Sequence, residues 1–212
     1  MPQVPLLAWI NFFSTLLPLG AGVVLWKSSS RSMRLVTGLL LFGFLNSLGL
    51  LVMDMFGRNN MILFHFYTLL SYLIIALLFS YWHDGRTAFV LKMSIPLFFL
   101  VYAALLVLGY QDLTHADMYS MVIQSILVAL IALYTLYHIL KRHEKFPVYQ
   151  DERFWVSIAA FTLIAGPTLV NAATRTYIIP ELWQIFHVLV ILSHGLFFLG
   201  YVWMRRWTTS PS

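Results

Sequence analysis

Three histidines set inside apolar runs, His65, His187 and His194, are the residues of this chain best placed to do chemistry. Imidazole exchanges a proton near neutral pH and is a ligand for zinc, copper and iron, haem iron included. His187 and His194 are seven residues apart, which puts them on one face of a helix, with Gln184 a turn before and Tyr201 two turns after. Measured from Glu181 at the α-helical rise, His187 lies roughly 9 Å and His194 roughly 20 Å along the axis. His65 stands about five residues, or roughly 8 Å, beyond Asn60, with Thr68 and Tyr72 on its face, so it matches His187 in depth. On neighbouring helices these two rings would share one ligand, one metal or one proton, and Asp54 would supply a carboxylate to orient an imidazole.

Three readings of these histidines follow. They are interhelical glue, each bonded to a Tyr, Asn or carbonyl; or they line a ligand- or proton-sensing pocket; or His65, His187 and His194 hold a metal or haem. An ionisable group costs roughly 2.5–3.5 kcal/mol at the centre of a membrane helix, so each should face the bundle interior and find a partner. The other polar residues within the spans concentrate in the same half of the chain's apolar runs. The expectation is an outward-facing pocket lined by Asn46, Asp54, His65, Tyr72, Asn171, Gln184, His187 and His194.

The elements that must position them are membrane helices. Of 212 residues, 60% are hydrophobic and 10% charged, where a soluble domain needs about 25% charged residues to solvate its surface. The absence of cysteine excludes a disulfide scaffold, thiol chemistry and a cysteine-held metal cluster. Seven apolar runs reach the roughly 20 residues that span a bilayer as helix: Leu6 to Trp26, Leu35 to Phe56, Asn60 to Trp82, Phe89 to Tyr110, Met118 to Leu140, Phe154 to Ala173 and Leu182 to Met204. The fold class expected is an all-α membrane protein, a single seven-transmembrane helix bundle over residues 1–212. The first run has no basic start and no small-residue cleavage site, so it is expected to be a retained span.

Basic residues set the orientation. Lys27, Arg31 and Arg34, Arg86 and Lys92, Lys141, Arg142, Lys145 and Arg153, and Arg205 with Arg206 fall on one side, against Arg58 and Arg175 on the other. The positive-inside rule then places the amino terminus outside and the carboxyl terminus in the cytoplasm. The net charge of +5 is thus topology, and no segment offers the soluble basic face that nucleic-acid binding requires. Trp26, Trp82, Trp155, Trp203 and Trp207 cluster near the cytoplasmic edge as headgroup anchors. Pro18, Pro96 and Pro167 sit inside spans, and Gly166-Pro167 is either a static kink or a hinge.

The remaining titratable residues read as structural. His138 and His143 end the fifth span, where cations suit the helix dipole and lipid headgroups. His83 beside Asp84, and His115 between Asp112 and Asp117, read as solvated turns. No Ser-His-Asp set or phosphate loop can be assembled. A retinal Schiff base would need a lysine where the last span has Ser193 and His194, which argues against a retinal protein. Metal-dependent seven-helix hydrolases of the ceramidase and progestin-receptor-like kind carry two histidines four apart in the last helix, whereas here they are seven apart.

Asn60-Met-Ile-Leu-Phe-His65-Phe-Tyr67-Thr68-Leu, Arg153-Phe-Trp155 and Leu182-Trp183-Gln-Ile-Phe-His187 resemble a pattern in uncharacterised bacterial seven-helix inner-membrane proteins. The resemblance implies a bacterial plasma membrane and equivalent importance for His65 and His187, and no particular chemistry. The functional expectation is an integral membrane sensor or ligand-binding protein that signals through a partner at its basic inner loops. A metal- or haem-dependent membrane enzyme or electron carrier is the alternative, and a structural subunit of a membrane complex the third.

Overall fold

Hydrocarbon offers no partner to a peptide group, so each apolar run must satisfy its own amides as helix. The computed structural model describes residues 6–115, 118–142, 147–176 and 181–209, with the side chains at 118, 142, 165, 167, 169–176, 181–183 and 205–209 outside that description. It is all-α among the described residues, with α1 (Leu6–Ser14), α2 (Leu16–Val24), α3 (Arg31–Met55), α4 (Met61–Ser80), α5 (Gly85–Val107), α6 (Met118–Arg142), α7 (Glu152–Thr176) and α8 (Glu181–Thr209). The segments α1 and α2 together make the first span. Six spans among the described residues are long and apolar enough to cross a membrane: Leu6–Val24, Arg31–Met55, Met61–Ser80, Gly85–Val107, Tyr119–Lys141 and Gln184–Met204. The remaining long helix, α7, packs between α6 and α8.

Pro18 explains the division of the first span. It has no N–H to give the Ser14 carbonyl, so it is tolerated in the first turn of a new segment and not in the interior of one. Thr15 keeps helical dihedrals, φ −62° and ψ −30°, so α1 and α2 run on from one another across an interrupted ladder. The Ser14 carbonyl thereby loses its usual intrahelical donor. α3 starts at Ser30, whose hydroxyl accepts from Met33 N at 3.3 Å.

The helices pack α3 on α4, α4 on α5 and α6, α6 on α7, and α7 on α8, while α8 also meets α1 and α2, and α2 meets α3. One end of this bundle is closed by a dry core. Met33 and Val36 of α3, Ile75 and Phe79 of α4, Val128 and Ala132 of α6, Val156, Ala159 and Ala160 of α7, and Phe197 and Tyr201 of α8 are buried together. Tyr201 OH lies 2.6 Å from Thr37 Oγ1 and donates to Met33 O at 3.1 Å, so even the polar tip of this core is paired. Gly22 permits that pairing, since a Cβ there would meet Thr37 Oγ1 at 2.5 Å and Tyr201 OH at 2.8 Å. Gly166 has a similar packing duty. A Cβ there would meet Leu189 Cδ1 at 2.9 Å, so α7 approaches α8 closely just where the sequence offers a hinge.

Candidate functional site

At the end opposite the dry core, where α1, α4, α6 and α8 begin and α3 and α7 finish, the helices enclose a cavity of about 530 Å³. Leucines 39, 40, 50, 51 and 163 give it apolar walls, and Trp9, Phe12, Phe64, Tyr67 and Phe186 add aromatic ones. Set among them are Asn11, Thr15, Asn46, Ser47, Asp54, Asn60, Thr68, Gln124, Thr168, His187 and His194.

The two α8 histidines meet α1 in a ladder. Asn11 Nδ2 donates to His187 Nδ1 at 3.0 Å, because an amide nitrogen can only donate. The neutral His187 ring therefore carries its proton on Nε2. One helical turn on, Ser14 Oγ gives its single proton to Asn11 O at 2.7 Å, so the contact of 2.7 Å with His194 Nδ1 is one in which the imidazole N–H donates. His194 Nε2 is then the acceptor, facing the Thr15 hydroxyl at 3.4 Å. The two rings thus hold opposite tautomers. Seven-residue spacing on α8 is matched by Asn11 and Ser14 of α1 and by Thr15 at the junction of α1 and α2.

His65 has other company. It is buried, with Tyr102 OH donating to Nδ1 at 2.9 Å, while Nε2–H points at two carbonyls, Asp112 O at 3.1 Å and His115 O at 3.0 Å. Carbonyls only accept, so this ring too is Nε2–H. It ties α4 to α5 and to the connection that follows α5, and it is not among the residues lining the cavity. The matched depth of His65 and His187 brings no shared ligand, because α4 packs chiefly on α3, α5 and α6, and α8 on α7, α1 and α2. Tyr72 also turns away, donating to Ser94 Oγ at 2.8 Å and packing its ring 4.3 Å from Phe98.

Of the other residues singled out from sequence, Asn46 and Asp54 line the cavity, Gln184 is exposed, and the Asn171 side chain lies outside the described residues. Asp54 orients neither α8 imidazole, whose partners are Asn11, Ser14 and Thr15. Among the described residues no three His, Asp or Glu side chains gather as a metal centre requires. Ser14 and Thr15 were not anticipated at the site. Ser14 bonds back to its own preceding turn, as helical hydroxyls usually do, so nothing local announced that its oxygen would also accept from α8.

The opposite end holds a smaller cavity of about 130 Å³, lined among others by Trp82, His83, Asp84, Tyr134, His138 and Arg153. His83 is half-buried, not a solvated turn residue. Its Nε2 lies 2.9 Å from Thr135 Oγ1, and its ring stands 5.3 Å from Tyr134 and 5.9 Å from His138. Arg153 is held by both carboxylate oxygens of Asp151, at 2.6 to 3.0 Å, which raises the guanidinium pKa further. Asp151 Oδ1 also accepts Arg153 N at 2.9 Å, capping α7.

The chain matches no protein-family model, no curated protein and no solved structure in the three comparisons made. The class that fold and geometry define is a multi-span helical membrane protein with buried histidine hydrogen bonds.

Proposed function

We propose that this protein is an integral membrane ligand-binding component, which takes a small amphipathic molecule into the cavity between α1, α3, α4, α6, α7 and α8 and reports its presence to a partner. The observation that carries this reading is the cavity itself. Its volume of about 530 Å³ falls in the range typical of small-molecule sites, roughly 300–1,000 Å³, and its lining is mostly apolar with a few convergent polar groups. The reporting element is α1, a nine-residue segment whose contacts to α8 at Asn11, Ser14 and Thr15 border the cavity and end at a break in the helix. A ligand competing for these polar groups would favour one setting of α1 over another, which is all that a population shift requires.

The proposed setting is a bacterial plasma membrane, with α7 as the seventh span, the cavity facing outward and the basic connections meeting a cytoplasmic partner. Charge asymmetry and the resemblance stated above support this. Single cysteines introduced at Arg58 and at Asp84 test the sidedness cleanly, because the chain has no cysteine of its own. Arg58→Cys should react with an impermeant maleimide on intact spheroplasts, and Asp84→Cys only after lysis.

Ligand occupancy is tested by native mass spectrometry of the purified chain beside Gly43→Phe. Gly43 lines the cavity, and the nearest atom to an added Cβ is Tyr67 Cε2 at 3.8 Å, so a larger side chain has room to start and then fills the space. A small molecule retained by the parent and absent from the filled variant is the expected result. Identical spectra from both folded proteins would retire the reading.

A further inference from the structure

Resting on the ligand-binding reading, we infer that the cavity selects hydrophobic organic cations, an onium group on an apolar body, with Asp54 as the counter-ion. Among the described residues that line the cavity, Asp54 is the sole Asp, Glu, Lys or Arg. It is exposed and is the penultimate residue of α3, so it stands at the open end of the chamber and remains hydrated until a ligand arrives. Low-dielectric walls of leucine and phenylalanine concentrate the field of such a charge into the space they enclose. An anion entering would shed its hydration shell and meet a carboxylate that no Lys or Arg among the described lining residues offsets.

Two further features point the same way. Trp9, Phe12, Phe64 and Phe186 bring aromatic rings to the lining, and ring faces attract cations and repel anions. The imidazoles do not oppose a cation, because each offers a lone pair to α1: His187 Nδ1 accepts from Asn11, and His194 Nε2 faces Thr15. That pattern belongs to neutral rings, since an imidazolium has no acceptor nitrogen. Arg58, the nearest basic residue along the chain, is not part of the lining.

A matched pair of probes isolates charge from size: tetraphenylphosphonium and tetraphenylborate have nearly the same shape and opposite sign. Each is measured by equilibrium dialysis against the full chain in a non-ionic detergent, and the uptake by Gly43→Phe is subtracted to remove partition into the micelle. Ser47→Trp fills the same cavity if Gly43→Phe does not fold, and thermal melts verify each variant. The phosphonium should bind tighter than the borate by about tenfold. Asp54→Asn should bring the two within about twofold, and Asp54→Glu should preserve most of the preference. Cavity-dependent binding of both ions with equal affinity, or a preference untouched by Asp54→Asn, overturns charge selection while leaving a ligand-binding cavity in place. Failure of the phosphonium to bind overturns this inference too, and the retained molecule in native spectra then decides the broader reading separately.

Discussion

His65 and the pair His187 and His194 are the same residue type, in similarly apolar helices, and they behave differently because of what lies across from them. Opposite His65 is protein: a tyrosine hydroxyl on α5 and two loop carbonyls close around both nitrogens. Opposite His187 and His194 is a short helix segment on one side and open space on the other. The same contrast separates the two ends of the bundle. Tyr201 and Thr37 are closed on each other in the dry core, whereas Asn46, Asp54 and Asn60 face a cavity. A polar side chain in a membrane helix therefore signals a need for a partner, and only the surroundings say whether that partner is another helix or a ligand.

Substitutions at the two ends should respond unequally. The largest effect is expected for Phe197→Ala, which opens a hole in the dry core and should cost about 3 kcal/mol or more of stability. Phe12→Ala on the cavity wall should cost much less, since space already lies beside it, and reversible unfolding of both in mixed micelles measures the gap. Equal losses would mean that the cavity is as tightly packed as the core. Next comes Gly22→Val, whose side chain would collide with Thr37 and Tyr201, at about 1–3 kcal/mol by overpacking. Replacing Tyr201 by Phe in the same chain should recover part of that loss, because it removes one of the colliding atoms.

The histidines themselves sharpen the comparison. His65→Ala removes the ring that accepts from the Tyr102 hydroxyl and donates to two carbonyls and should cost about 1–3 kcal/mol, with faster amide exchange in the 110–115 connection. His194→Ala should cost only about 0.6 kcal/mol, the average for a polar contact between membrane helices, because water from the cavity can serve Ser14 and Thr15. Reversal of that order would show the α8 ladder to be the true structural tie.

The smallest effect belongs to Asp112. Hydrogen bonds from the Thr114 backbone and hydroxyl, and then from His115, hold its carboxyl below the usual carboxylate range. Its contribution is therefore fully present above the unfolded-chain value of about 3.9 and is lost as pH falls through the depressed folded value. Protection of the Thr114 amide, which donates to Asp112 Oδ1 at 2.8 Å, should fall on acidification through that window. Asp112→Asn should flatten the profile.

Much of the fold was legible because the bilayer imposes strong rules. Runs of about 20 apolar residues become helices, and the start expected at Asn60 agrees with α4, whereas α5 and α7 begin at Gly85 and Glu152, ahead of the apolar residues Phe89 and Phe154. The α8 seam was legible as well, since a spacing of seven needs only helix geometry to put His187 and His194 on one face. Ser14 and Thr15 were hidden, because nothing local announces that the α8 histidine will pack across from them. His83 was hidden too, because nothing local announces that Thr135 and Tyr134 will pack over a short turn.

Composition and run length by themselves determined an all-α membrane bundle, for apolar runs of about 20 residues match a spanning helix and are too long for the strands of a barrel, the other way backbone amides are satisfied in hydrocarbon. Only the tertiary structure decided which histidine faces a cavity. Depth along a helix is written in sequence position, but the direction a side chain faces relative to other helices depends on how each helix is turned about its axis and which neighbours it packs against. Those choices are made by long-range contacts such as Gly166 on Leu189 and Gly22 beneath Tyr201. They turned His65 toward α5 and left His187 and His194 beside the space where a ligand fits.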